Sequence, residues 1–125
     1  MALQSLADEG NIIHIYDFRV KPGCGDDFIA LFNESDFSED NPMHKAPAQV
    51  KDGVLCRDAE DPDRFYLIGE WRSIEAHRAC LQEIFAQPRP KFFDLLQAGR
   101  MVPPAYAKVV SSTPAEYLAR FHREK

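Results

Sequence analysis

Four histidines and a tryptophan set the chemical question in this chain. His77 shares a helical stripe with Ile74, Leu81 and Phe85, at i−3, i+4 and i+8, so it should face the protein interior. Histidine titrates near neutral pH, which suits it to act as a general base or as a hydrogen-bond partner for a bound phenol. A half-buried structural histidine bonded to a backbone carbonyl would give the same pattern. Trp71 lies six residues earlier and could wall an aromatic ligand or fill core. His14 and Tyr16 are two apart, and on a strand that places them on one face. If that face meets the helices, they share a pocket with His77, and Tyr16 could donate a hydrogen bond to a developing oxyanion. If it meets a partner subunit, they are interface residues.

Two further residues could reach a ligand. His44 lies in a polar, proline-bearing segment that could close as a lid or stay a solvated loop. Phe92, Leu95 and Leu96 form a core stripe, which leaves Phe93 off the stripe and able to reach a pocket. No metal-ligand spacing occurs among the cysteines and histidines, so no metal site is expected. The GxGxxG, P-loop, HExxH and GxSxG patterns are absent as well, which argues against nucleotide cofactors and standard hydrolases.

These residues need elements to hold them. Residues 11–20, NIIHIYDFRV, read as a strand ended by Lys21-Pro22-Gly23. Residues 24–34 read as a helix with Phe28, Leu31 and Phe32 on one side and Asp26 and Asp27 in the first turn. The segment 35–52 is long for a plain loop, and a short helix is expected within 43–50. Residues 53–59 and 64–72 read as a hairpin around Glu60-Asp61-Pro62-Asp63. Ser73 should cap a helix over 74–85. A further helix is expected over 90–98, closed by Gly99, then a strand over 106–110. Thr113-Pro114-Ala115-Glu116 has the form of a capping box and predicts a helix over 114–123.

The order β-α-β-β-α-β is that of the α+β ferredoxin-like fold with an antiparallel sheet. A loose leader over 1–10, a core domain over 11–112 and a C-terminal helical extension over 113–125 complete the division. Both faces of the first and third strands carry large apolar groups, yet the crossover helices cover only one face. A second copy of the sheet would cover the other, giving a dimeric α/β barrel about a two-fold axis, unless the C-terminal helix covers it within one chain.

Composition narrows the partners. Among 125 residues, 20 acidic and 15 basic side chains give a net charge of −5. No basic stripe is present, so neither nucleic acid nor an anionic membrane surface is an expected partner. The three cysteines form no CxxC pair, which fits a reduced, cytoplasmic protein. The opening residues MALQSLADEG have neither the basic nor the apolar region of a signal peptide.

The strand ending in Lys21-Pro22-Gly23, the following helix with Phe28, and the string Gly69-Glu70-Trp71-Arg72-Ser73-Ile74-Glu75-Ala76-His77 resemble the antibiotic biosynthesis monooxygenase family of dimeric α/β-barrel proteins. The resemblance covers about residues 11–110. The long segment 35–52 and the C-terminal helix depart from it. It implies a small homodimer with a pocket between each subunit's sheet and its own helices. It also implies cofactor-free oxidation of a small aromatic or quinol-type compound by O₂, with His77 catalytic and Trp71, His14, Tyr16, Phe93 and His44 around the substrate. A non-catalytic ligand-binding or stress-response dimer is the alternative on the same scaffold. Haem degradation ranks lower. Members with that activity use an Asn where this chain holds Tyr16, and a haem-binding His about ten residues after the Trp, where His77 follows by six.

Overall fold

The structure is a computed structural model and describes residues 3–121. Strand β1, Ile12–Arg19, alternates as its composition demands. His14, Tyr16 and Phe18 are buried while Asp17 and Arg19 are exposed. Gly23 (φ 79°) turns the chain into helix α1, Gly25–Asp36, which buries Phe28 and Phe32. Gly25 is needed where it stands, because a Cβ there would lie 2.5 Å from the Pro62 carbonyl oxygen in the hairpin turn. Strands β2, Gln49–Arg57, and β3, Arg64–Trp71, follow. Helix α2, Ile74–Phe85, starts where the Ser73 hydroxyl accepts the Ala76 N–H at 3.1 Å. Strand β4, Ala105–Lys108, and helix α3, Ala115–Phe121, complete the chain. The last residues of the expected helix, 122 and 123, lie outside the described residues.

The sheet is antiparallel throughout, in the order β2-β3-β1-β4. The split βαβ topology expected from the element order is therefore present. On the inner face, Tyr16, Phe18 and Phe65 pack against Phe28 and Phe32 of α1, Leu81 of α2, and Phe92, Phe93 and Leu96. On the outer face lie Ile13, Ile15, Ile68 and Val54, whose strand partners place Ile15 opposite Ile68.

Three expectations are corrected. The helix expected within 43–50 is a four-residue 3₁₀ turn, Pro42–Lys45. Asn41 caps it, its side chain accepting the Met43 N–H at 3.0 Å. Ala46 precedes Pro47 and is extended (φ −78°, ψ 122°), which stops the turn. Strand β2 then begins at Gln49 rather than 53, with register shifts between Gln49 and Val54 absorbing the irregular stretch. The helix expected over 90–98 is a 3₁₀ turn, Lys91–Leu95. The end of β1 takes the backbone groups a longer helix would use: Lys21 N–H donates to Leu95 O and Gln97 N–H to Arg19 O, both at 2.8 Å.

Residues 7–11, which include the end of the stretch expected to be a loose leader, are docked by hydrogen bonds. Glu70 is 2% exposed, and one carboxylate oxygen accepts both the Asp8 N–H and the Asn11 Nδ2, each at 2.8 Å. Ser112 donates to Ala7 O at 2.8 Å, and Gly10 N–H to Val109 O at 2.9 Å. Leu6 of the leader and Leu118 of α3 share a hollow of about 500 Å³ with Ile13 and Ile68 on the outer face. Among the described residues, no helix is long and apolar enough to cross a membrane.

Candidate substrate cavity

Between the inner face of the sheet and helices α1 and α2 lies a cavity of about 210 Å³. Its floor is built by strand alternation and helical spacing together. Strand β1 delivers His14 and Tyr16, and α2 delivers His77 from its first turn. The three are almost wholly buried, at 4%, 2% and 0% exposure respectively. The imidazoles of His14 and His77 stack with centroids 4.5 Å apart. The Tyr16 hydroxyl lies 3.5 Å from His77 Nε2.

His77 has a second hydroxyl partner that the sequence alone did not reveal. Tyr106 Oη is 2.7 Å from His77 Nδ1. Tyr106 sits opposite His14 in the β1–β4 ladder, so it reaches His77 from the strand beside β1. Its ring lies 5.3 Å beneath the Arg78 guanidinium. The only sequence signal was a tyrosine alternating in a short strand after Pro103-Pro104, and its partner depended on an unknown register.

Burial dominates the electrostatics. Desolvation lowers His77 to about 4. Desolvation and then the His77 charge lower His14 to about 3, so both rings are neutral at pH 7. Tyr16 and Tyr106 are both raised, chiefly by burial, and stay protonated. His14 Nδ1 is buried without a hydrogen-bond partner. Gly69 makes room for this ring: a Cβ there would stand 2.6 Å from His14 Nε2.

The walls are apolar, with Phe32, Leu67, Leu81, Ile84 and Phe92. The rim is polar. His44, on the Pro42–Lys45 turn, lies 3.5 Å from Asp36 and 3.2 Å from Asp52 through Nε2. Burial raises the Asp36 carboxyl, with His44 opposing. Gln87, just past α2, donates to Asp40 O at 2.8 Å and ties the loop after α1 to the helix on the other side of the mouth.

The structure thus brings His14, Tyr16, His77 and His44 to one cavity and leaves out two expected residues. Trp71 is fully buried behind His77, ring edge to face at 5.0 Å, and its Nε1 has no partner. It backs the histidine and does not wall a ligand. Phe93 packs in the core against Phe92, and Phe92 lines the cavity instead. The reversal follows from the 3₁₀ turn, whose three residues per turn shift the inward-facing position that an α-helical stripe would give. Among the described residues, no three His, Cys, Asp or Glu side chains converge on a metal-sized gap.

No protein-family model matches the sequence, and no curated protein matches it. Solved structures do share its fold. A dimeric ferredoxin-like protein from an uncultured marine organism aligns with a TM-score of 0.60 at 16% identity, covering 82% of this chain and 90% of the other. Two proteins provisionally named antibiotic biosynthesis monooxygenases also align. One, from Caulobacter crescentus CB15, has a TM-score of 0.57 at 16% identity and covers 85% of this chain and 95% of its own. The other, from Bordetella bronchiseptica, has a TM-score of 0.55 at 23% identity and covers 79% and 94%. At such identities the likeness establishes the fold: this chain has the ferredoxin-like α+β architecture of antibiotic biosynthesis monooxygenase-type proteins.

Proposed function

We propose that this chain is a cofactor-independent monooxygenase that oxidises a small aromatic or quinol-type compound in the cavity between its sheet and helices. The observation that carries this reading is the convergence of Tyr16, His77 and His14 on the floor of a cavity whose walls are apolar. A neutral imidazole with a free nitrogen lone pair and a hydroxyl beside it supply the acceptor and the relay that removal of a proton from a phenol-like substrate requires.

His77 is sealed from water, so a ligand reaches it through Tyr16. With Nδ1–H donating to Tyr106, the Nε2 lone pair faces the Tyr16 hydroxyl. Tyr16 then passes its proton to Nε2 as its oxygen takes one from the substrate. The phenolate formed beside the imidazolium raises the basicity of His77 and so offsets part of the burial that lowers it. The substrate anion supplies the electrons for O₂. A carbon–oxygen bond forms at the ring carbon beside the phenolate to give a peroxide, the O–O bond breaks with loss of water, and the CH₂ of the substrate's keto tautomer becomes the C=O of a quinone. The sum is CH₂ + O₂ → C=O + H₂O, with no external reductant. The protein's part is to bind, orient and deprotonate.

The test is oxygen uptake with a panel of reduced quinols. Turnover by the wild type should fall by about 10²-fold or more in His77→Ala. Unchanged turnover in that variant would remove His77 from the chemistry. A second reading, binding without turnover, is favoured by one observation: both nitrogens of His77 already meet tyrosine hydroxyls. It expects a small aromatic molecule to bind tightly and emerge unaltered. A cavity of about 210 Å³ sits below the roughly 300–1,000 Å³ of drug-sized sites, which counts against a haem substrate.

We infer further that the enzyme is a homodimer joined through its outer sheet face and works in the reducing cytoplasm. The apolar outer positions Ile13, Ile15, Val54 and Ile68 support the first. The free thiols Cys24, Cys56 and Cys80 support the second.

A further inference from the structure

The rim of the cavity carries charge of one sign. Asp36, Asp40 and Asp52 line it, and among the described residues no Lys or Arg does. His44 is shared between Asp36 and Asp52, so one imidazole faces two carboxylates and the cluster stays negative even when that ring is protonated. The nearest lysine on β2, Lys51, is committed elsewhere and donates to Ser5 O and Leu6 O on the far side of the sheet.

An independent feature at the floor points to a ligand. His14 lines the cavity and is 4% exposed, and its Nδ1 has no partner within the chain. A buried polar atom left unpaired is costly unless something else satisfies it. The rings of Phe32 and Phe92, 5.3 Å apart, form one aromatic wall of the cavity. The volume of about 210 Å³ fits one or two rings.

We propose that the cavity selects a one- or two-ring phenolic amine, with the ring against Phe32 and Phe92, the hydroxyl end on the floor formed by His14 and Tyr16, and the ammonium at Asp36 and Asp52. This rests on the reading that the cavity is the substrate site, and it narrows the substrate class. Aromatic carboxylates and phosphates are excluded, because they would bring a like charge against two aspartates with no cation to meet it.

Three matched probes test it by titration calorimetry on the full chain: tyramine, 4-ethylphenol and 3-(4-hydroxyphenyl)propionate. They share the phenol and differ in the charge at the end of the side chain. Tyramine should bind tightest and the carboxylate at least about tenfold more weakly, with the gap shrinking as salt rises. In the Asp36→Asn/Asp52→Asn variant the gap should close to within about threefold, as the paired charges that set it are gone. Equal binding of tyramine and the carboxylate overturns the proposal. So does a gap that survives in the double variant, or binding by none of the three. Oxygen uptake separates this outcome from the fate of the oxygenase reading. An amine preference without uptake on any quinol retains the ligand class and removes the oxygenase. Uptake without an amine preference does the reverse.

Discussion

Two buried imidazoles stacked at 4.5 Å on the floor of the cavity make the site sensitive to acid. His77 and His14 hold folded-state values of about 4 and about 3, below the unfolded 6.5. Between pH 6.5 and about 4, the unfolded chain therefore binds protons that the folded chain refuses. Their contribution is fully present above pH 6.5 and is lost as pH falls, by up to roughly 1.4 kcal/mol per pH unit for each histidine. Asp17, lowered mainly by its bond to Arg64, acts only below the carboxylate range, whereas Asp36, raised by burial, acts just above it with the opposite sign and offsets part of the loss toward the acid end. Urea unfolding at pH 7, 6 and 5 should show stability falling with acidity, with a shallower slope in His77→Gln. A flat profile in the wild type would mean that the rings are solvated. At this scale the sequence was partly readable. The stripe through Ile74 and Leu81 placed His77 inward, and two-residue spacing put His14 and Tyr16 together. Tyr106 was not readable, since its meeting with His77 depends on the register that sets His14 opposite Tyr106.

The strand pair β1–β3 is where backbone geometry protects the site. His14 pairs with Gly69, and the ring lies over the space a side chain at that position would fill. Gly69→Ala should push the imidazole off its stack with His77 and destabilise the fold by about 1–3 kcal/mol, the usual range for overpacking. Thermal unfolding and the histidine ring signals in NMR would register both effects. Unchanged ring shifts would show that the sheet yields instead. Elements with strong internal periodicity were legible in the sequence: β1 differs from expectation by a residue at each end, and α2 matches at both. The elements that were misread are those whose form is set from outside. Residues 91–95 stop as a 3₁₀ turn because the end of β1 claims the backbone of Leu95 and Gln97, and no local pattern records that demand.

At the scale of the whole molecule, the sheet is finished on one side only. The inner face is filled by α1 and α2, whereas the outer face presents Ile15 opposite Ile68, with Val54 58% exposed on the neighbouring strand. The alternation that predicted this face was visible in the sequence. Cover by the C-terminal helix was an alternative the sequence offered; what was hidden is that the leader shares it, anchored at the Glu70 end where the carboxylate accepts from Asp8 and Asn11. The uncovered part still needs cover, and a second copy supplies an apolar sheet of the same shape about a two-fold axis. A stable interface of that kind buries at least roughly 1,000 Å². Sedimentation of the wild type should therefore give a dimer at micromolar concentration. Ile15→Lys puts a charge on the outer face of the sheet, on the side away from the cavity, which Ile15 does not line. It should shift the protein to monomer while leaving phenol binding within about threefold, because each cavity lies within its own subunit. A wild-type monomer would remove the dimer. A dimer that survives the lysine would move the interface elsewhere, and loss of binding along with dimerisation would mean that the partner shapes the cavity from outside.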